Sequence, residues 1–221
     1  MKFEKIRSIL LSVINDIEKF INTRNTYLNG VEEINKKTAY TQEYRNQEIA
    51  KLKDTYSQGK NSLYDTFKWH IDSLKKEFNV ILEEQKETFI LDNQLMNSIE
   101  FIPRVKNSIY YDTSEYVINS YRSNFIALKI LEETAKNYHS PDFITKIIDS
   151  LMITENSFDV LLEKYISLQS GNSSVMSLNN CITKISKCFN IFDLEQYYLT
   201  DDIGEAISTR KAMGLPSQYN I

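Results

Sequence analysis

Residues that break regular structure are scarce in this chain of 221 residues. It contains only 5 glycines and 3 prolines, whereas average proteins have about 7% Gly and about 5% Pro. So few turn-forming residues argue against an all-β protein, which needs many tight turns. They also argue against glycine-rich loops that bind nucleotides, and the sequence has no phosphate-loop or dinucleotide-binding glycine pattern.

Cysteine and histidine are almost as rare, with two of each. Cys181 and Cys188 lie seven residues apart, so they can face the same way on a helix without bonding each other. We expect reduced, buried thiols in a cytoplasmic protein. Neither His70 nor His139 stands in a Glu-x-x-His or His-x-x-x-His pattern. Because no nucleophile motif occurs either, we expect no metal, no cofactor and no enzymatic activity.

Long apolar runs and an excess of positive charge are also missing. No stretch approaches the ~20 apolar residues of a membrane span. The first residues resemble a signal peptide, but Asp16 and Glu18 interrupt them and no small-residue cleavage site follows. The net charge is -4, and residues 31–91 carry 10 basic and 11 acidic side chains, so no basic stripe is available for phosphates. We therefore expect a cytoplasmic protein that binds neither membranes nor nucleic acid.

What the sequence does contain is a strong helical period at its N-terminus. Apolar residues follow a 4–3 spacing in eight of nine positions, with neighbouring apolar residues that widen the stripe. A stripe of this width is typical of a multi-helix bundle. The nine positions are Ile6, Leu10, Val13, Ile17, Phe20, Arg24, Tyr27, Val31 and Ile34. The pair Asn29-Gly30 is either a turn or part of one continuous helix, because the stripe stays in phase through it.

The stripe fades over residues 35–48, which we expect to form a helix with little to bury. It returns between Ile49 and Phe89, where Gly59 is a second candidate turn. One helix over residues 31–91 would be ~90 Å long, about three times the diameter of a small domain. The long-helix region 1–91 is therefore either a hairpin of two or three antiparallel helices or an extended coiled-coil-like rod.

After Leu91 the pattern is that of shorter helices. The stretch 104–111 is the only strand-like one, and a single strand cannot form a sheet. Asp112 starts a sequence that resembles a capping box, and Ser140-Pro141 is a helix start signal. Further helices are expected at about 141–152, 155–170 with Gly171 as C-terminal cap, 175–189 and 201–213. The sequence thus predicts an all-α fold, with long helices in residues 1–91 and a compact helical bundle in residues 92–221.

Three aromatic residues are candidates for contacts with a protein partner. Trp69, the only tryptophan, lies two residues after the stripe position Phe67, so it points roughly to the opposite side of the helix. Tyr40 and Tyr44 lie four residues apart on the otherwise polar stretch and so share one face. Aromatic residues among charged neighbours often anchor protein interfaces. The alternative for Trp69 is burial of a second helix face by another part of the same chain.

The leading functional hypothesis is a non-enzymatic helical protein that acts through protein–protein contacts of its long helices, by self-association or by binding a partner. The sequence has 27 Ile and 20 Asn but 6 Ala, a bias that indicates an AT-rich genome. An assembly or accessory factor of a bacterium, phage or mobile element would fit. The alternatives are a monomeric regulator or inhibitor that blocks another macromolecule, and an α-helical enzyme whose site is assembled from distant helices.

Overall fold

The computed structural model describes residues 3–196 and Leu199, and within these residues the chain is helical and has no β-strand. Two long N-terminal helices precede shorter ones, so the predicted fold class is confirmed. The elements are α1 (Glu4–Lys36), α2 (Gln42–Thr88), α3 (Asn93–Phe101), α4 (Tyr111–Asn119), α5 (Phe125–Asn137), α6 (Asp142–Leu151), α7 (Glu155–Gln169) and α8 (Val175–Cys188). Short 3-10 helices occur at Ile102–Arg104, Ser108–Tyr110 and Asp193–Gln196.

The two long helices form an antiparallel hairpin, and its turn lies at residues 37–41. The Lys37 N–H donates to the Ile34 carbonyl at 3.2 Å and closes α1. The Thr41 hydroxyl accepts from the Tyr44 N–H at 3.3 Å and caps α2, as expected for threonine at an N-cap. The prediction of one helix over residues 35–48 was therefore wrong. The caps end α1 and begin α2 within this stretch, where no apolar stripe packs a continuous helix against the core.

The two glycines of the hairpin lie inside helices, so the candidate turn at Gly59 does not form. Gly30 belongs to α1 and Gly59 to α2. A Cβ atom at residue 30 would come within 2.9 Å of the Leu52 side chain. Glycine at this position allows α1 and α2 to approach each other closely, which is a packing role that a sequence pattern does not distinguish from a turn.

Gly59 gives a direct test of its place in a continuous helix. We expect Gly59→Ala to raise the free energy of unfolding by about 0.5–1 kcal/mol, because Ala is the better helix former. The added Cβ would meet Thr23 at 3.5 Å, which is an ordinary contact. Chemical denaturation measures the change. Gly171→Ala is the matched control and should destabilise the protein, because Gly171 ends α7 with a φ of 75°. A turn at Gly59 would instead make both substitutions costly.

The C-terminal region follows the prediction at most helix boundaries and departs from it in two places. Residues 104–111 form no strand, because they contain the end of one 3-10 helix, an irregular link, a second 3-10 helix and the first residue of α4. Asp112 lies inside the first turn of α4 instead of capping it, because α4 already begins at Tyr111. The start signal at Ser140-Pro141 precedes α6 directly, and α7 and α8 lie within about one residue of their expected bounds. The helix expected at 201–213 lies outside the described residues.

Two hydrophobic clusters hold the helices together. The larger one joins the base of the hairpin to α7 and α8 and includes Phe20, Phe67 and Tyr165. The smaller one involves α3 to α6 and includes Leu128 and Ile148. The base of the hairpin is thus packed into the C-terminal helices. The division into residues 1–91 and 92–221 stays a prediction.

The outer part of the hairpin is far less buried than its base. Among residues 22–66, all of which the structure describes, Ile34 is the single buried one. Helix α7 runs alongside α2 only from Lys60, whose ammonium donates to the Gln169 carbonyl at 3.0 Å, to Asn79, whose amide donates to Glu155 at 2.6 Å. We call residues 22–59 the distal hairpin. Its helices contact mainly each other, for example through the stacked rings of Tyr27 and Tyr56 at 4.8 Å.

Candidate interaction surfaces

Trp69 lies on the outward face of α2, and 65% of its surface is exposed. The alternative of burial against the same chain is therefore wrong for this residue. On one side of Trp69, the α2 residue His70 contacts Asp16 of α1. On another side, Lys75 pairs with Asp159 of α7 at 2.5 Å. Helices α1 and α7 thus pack against other sides of α2, and the indole of Trp69 points away from both into solvent.

A buried polar pair supports the α2 backbone beneath Trp69. The Nδ1 atom of His70 lies 2.6 Å from the Asp16 carboxylate, and Asp16 is only 1% exposed. The contact has the length of a hydrogen bond between a ring nitrogen and a carboxylate oxygen. The Trp69 and His70 rings meet edge to face, 4.9 Å apart. The pair thus joins α2 to α1 at the residue that follows Trp69.

The outward face of α2 continues from Trp69 towards the end of the helix as a single stripe. Exposed residues recur along it at spacings of three and four, the period of one helix face. They are Asp65, Trp69, Asp72, Lys76, Val80, Glu83 and Glu87, and we call them the outer stripe. Val80 is 43% exposed. It lies in a shallow groove of about 620 Å³ that is also lined by Lys76, Asn79, Glu83, Glu84 and Glu87.

Tyr40 and Tyr44 form a separate aromatic pair at the tip of the hairpin. Their rings meet edge to face at 4.7 Å, although Tyr40 lies in the turn and not on the helix face that its spacing from Tyr44 predicted. The Lys37 ammonium lies 5.4 Å from the centre of the Tyr40 ring, and Arg45 donates to the Lys37 carbonyl at 2.8 Å. Tyr44 is 44% exposed, whereas Tyr40 is half-buried. The tip therefore presents an ordered aromatic and cationic surface.

The three candidate residues do not form one site. Tyr44 and Trp69 are 25 residues apart on the same helix, which corresponds to about 37 Å along the axis of α2. The structure therefore gives two separate candidate surfaces, one at the tip of the hairpin and one on the outer stripe. A partner that contacted both surfaces would have to extend along about half of α2.

A third exposed surface was missed by sequence reasoning. Ile109 and Tyr116 are strongly exposed, and Tyr110 and Tyr111 beside them are partly exposed. Tyr111 contacts Phe143 at a ring distance of 5.7 Å. The strand-like pattern of residues 104–111 does not predict an exposed surface there. The concentration of tyrosine in this short stretch was the available signal.

The groups that could support catalysis are poorly placed for it. Cys188 is buried, and burial raises the pKa of its thiol to about 11; burial also raises the pKa of Cys181. A nucleophilic thiol needs a lowered pKa instead. Within the described residues, no group of three or more His, Cys, Asp or Glu side chains could hold a metal ion. No helix in the same part of the chain is both long and apolar enough to cross a membrane.

Comparison with known proteins adds no relative to these observations. The sequence matches no protein-family model and no curated protein, and the fold matches no solved structure. A function for the chain has to come from its own geometry.

Proposed function

We propose that this chain is a non-enzymatic, cytoplasmic protein that binds other proteins through its long N-terminal helices, as an assembly or accessory factor of a bacterium, phage or mobile element. The distal hairpin carries the proposal. It extends α1 and α2 well beyond the helices that cover their base, although it buries only Ile34. A helix pair with so little to bury gains little for the fold of its own chain, so we assign its length to contacts with another chain.

The charges of the distal hairpin agree with a protein partner. Its basic residues include Arg24, Lys51 and Lys53, and its acidic residues include Glu33 and Asp54. Both signs are interspersed along both helices, and neighbouring pairs such as Lys51 and Glu48 satisfy each other at 2.7 Å. A mixed surface of this kind gives no net attraction for phosphates or anionic lipids. Affinity for a partner would then come from aromatic and aliphatic side chains at the tip and along the two helices.

The experiment is capture of partners from the native host with the purified chain as bait, followed by mass spectrometry. Two variants test the two candidate surfaces separately, Tyr40→Ala/Tyr44→Ala for the tip and Trp69→Ala for α2. We expect at least one of them to reduce recovery of a specific partner by about tenfold or more, the typical effect of an interface anchor. Tyr138→Ala is the matched control, because it removes a similarly exposed aromatic ring at the end of α5, outside the three exposed surfaces described above.

Light scattering over a concentration series completes the test, because it shows whether the partner is a second copy of the chain. Loss of a multimeric mass in the tip variant would identify self-association. A strict monomer that still captures a partner would favour the regulator or inhibitor alternative. If Tyr40→Ala/Tyr44→Ala/Trp69→Ala leaves both mass and capture unchanged, while circular dichroism shows intact helices, the proposed function is wrong.

A further inference from the structure

The outer stripe of α2 combines two apolar anchors with a dense acidic charge. Its apolar members, Trp69 and Val80, are eleven residues apart, which is about three helical turns or ~16 Å. Four of the five other members are carboxylates, and Lys76 is the single cation among them. Asp65 and Asp72 lie one turn before and one turn after Trp69. Each anchor thus has acidic residues on the same face.

The carboxylates of the stripe are available to an incoming partner. All seven side chains are exposed. Two neighbouring cations are engaged elsewhere, since Lys75 pairs with Asp159 and Lys5 pairs with Glu77 at 2.9 Å. Lys68, next to Trp69, is exposed on the flank of the stripe. Lys86 contacts Glu83 at 2.7 Å, but such an exposed pair contributes little and exchanges easily with another cation. The seven members of the stripe thus carry four negative charges and one positive charge along about 33 Å of helix, the length of its 23 residues.

We propose that the outer stripe is the docking site of a basic amphipathic helix of another protein. This inference rests on the proposed function and specifies the partner of the Trp69 surface. A helix laid along α2 would place apolar residues against Trp69 and Val80, and its Lys or Arg residues would face the carboxylates between and beyond them. Helix-in-groove binding of this kind uses anchors spaced by whole turns, and opposite charges set the register and speed association.

The charge of the stripe also disfavours other occupants. A second copy of this chain, docked by the same stripe, would bring two rows of carboxylates together, and like charges across an interface are costly. Nucleic acid and anionic lipid headgroups would be repelled for the same reason. An acidic or neutral helix would match the two anchors but would leave the carboxylates facing no cation.

Trp69 supplies the signal for the test because it is the only tryptophan. The probe is a synthetic amphipathic Leu/Lys helix of about 22 residues, long enough to span the stripe. We expect a blue shift of the Trp69 emission on titration, because docking removes the indole from water. Affinity should fall steeply between low and high salt, as for any pairing of exposed charges. A Leu/Glu peptide of the same pattern should leave the emission unchanged.

Matched neutral variants separate the stripe from the general charge of the protein. Asp65→Asn/Asp72→Asn/Glu83→Gln/Glu87→Gln removes four charges from the stripe, and we expect it to weaken binding about tenfold or more. The control variant, Asp54→Asn/Glu115→Gln/Glu133→Gln/Glu163→Gln, removes four exposed charges elsewhere and should change binding less than about twofold. Circular dichroism checks that both variants keep their helices.

Three results would overturn the docking site. They are absence of binding by the Leu/Lys helix, equal weakening by the two neutral variants, and binding detected by calorimetry without any change in Trp69 emission. These results are independent of whether the distal hairpin captures host proteins. A negative peptide titration with a positive host capture would therefore reject the basic helix while leaving the proposed function standing.

Discussion

Replacement of Tyr165 by alanine should lower the free energy of unfolding by about 3–5 kcal/mol, the usual cost of removing a large buried aromatic ring. Tyr165 lies on α7 and is fully buried. Its ring stacks on Phe67 of α2 with centroids 3.8 Å apart, and it meets the edge of Phe20 of α1 at 5.8 Å. One side chain thus joins both long helices to the C-terminal bundle, and its loss leaves a cavity between three helices.

Tyr165→Phe is the matched control, and we expect it to leave the free energy of unfolding unchanged or to raise it slightly, because the buried hydroxyl makes no hydrogen bond within the described residues and burial of an unpaired polar group is unfavourable. Urea denaturation followed by circular dichroism and by Trp69 emission measures both variants.

Burial raises the pKa of the Tyr165 hydroxyl far above its usual range. The unfolded state loses this proton first as pH rises above about 10, so stability falls there. The fall should be smaller in Tyr165→Phe. If Phe were as costly as Ala, the hydroxyl rather than the ring would hold the junction.

The architecture was predictable because the buried face of a helix requires apolar residues every three to four positions. The stripe from Ile6 to Ile34 follows the 4–3 spacing, and α1 covers this whole range. Exposure of Trp69 was predictable for the same reason, since its offset from Phe67 determines which side of α2 it occupies. The short bundle helices were predictable from their caps, such as Gly171 with its positive φ.

The position of the turn was not predictable, because its signals were weak and misleading. Residues 37–41 contain no glycine or proline. Thr41 caps α2, but a threonine in a sequence does not by itself mark the start of a helix. Glycine was present instead at positions 30 and 59, within the helices. The separation of Tyr44 from Trp69 depends on the continuity of α2 through Gly59, so the sequence did not show that the candidates form two surfaces.

The pairing of Asp16 with His70 was hidden for a different reason. The two residues are 54 positions apart, and their contact depends on the register of the hairpin. In the sequence Asp16 was only a polar interruption of an apolar segment, and His70 lacked any partner at metal-ligand spacing. Burial of a carboxylate in the middle of an apolar helix is a sign of an interhelical partner, but the sequence does not identify that partner.

His70→Ala should destabilise the protein by about 3–5 kcal/mol, the usual cost of leaving a buried charge without its partner. The Asp16 side chain is almost fully buried, and His70 Nδ1 contacts its carboxylate at 2.6 Å. Asp16→Asn on the His70→Ala background should recover part of this loss, because a neutral amide costs less to bury than a carboxylate. Thermal and urea unfolding of the single and double variants give the coupling energy between the two residues.

Lys5→Ala is the matched control, because Lys5 and Glu77 also join α1 to α2 but lie at the surface, with Lys5 78% exposed. We expect it to cost less than about 1 kcal/mol, as for other exposed ion pairs. Because the Trp69 ring rests against His70, His70→Ala should also shift the Trp69 emission, whereas Lys5→Ala should not. Equal costs for the buried and exposed substitutions would mean that the Asp16–His70 pair does not set the register of the hairpin. The direction in which Trp69 faces a partner would then depend on apolar packing alone.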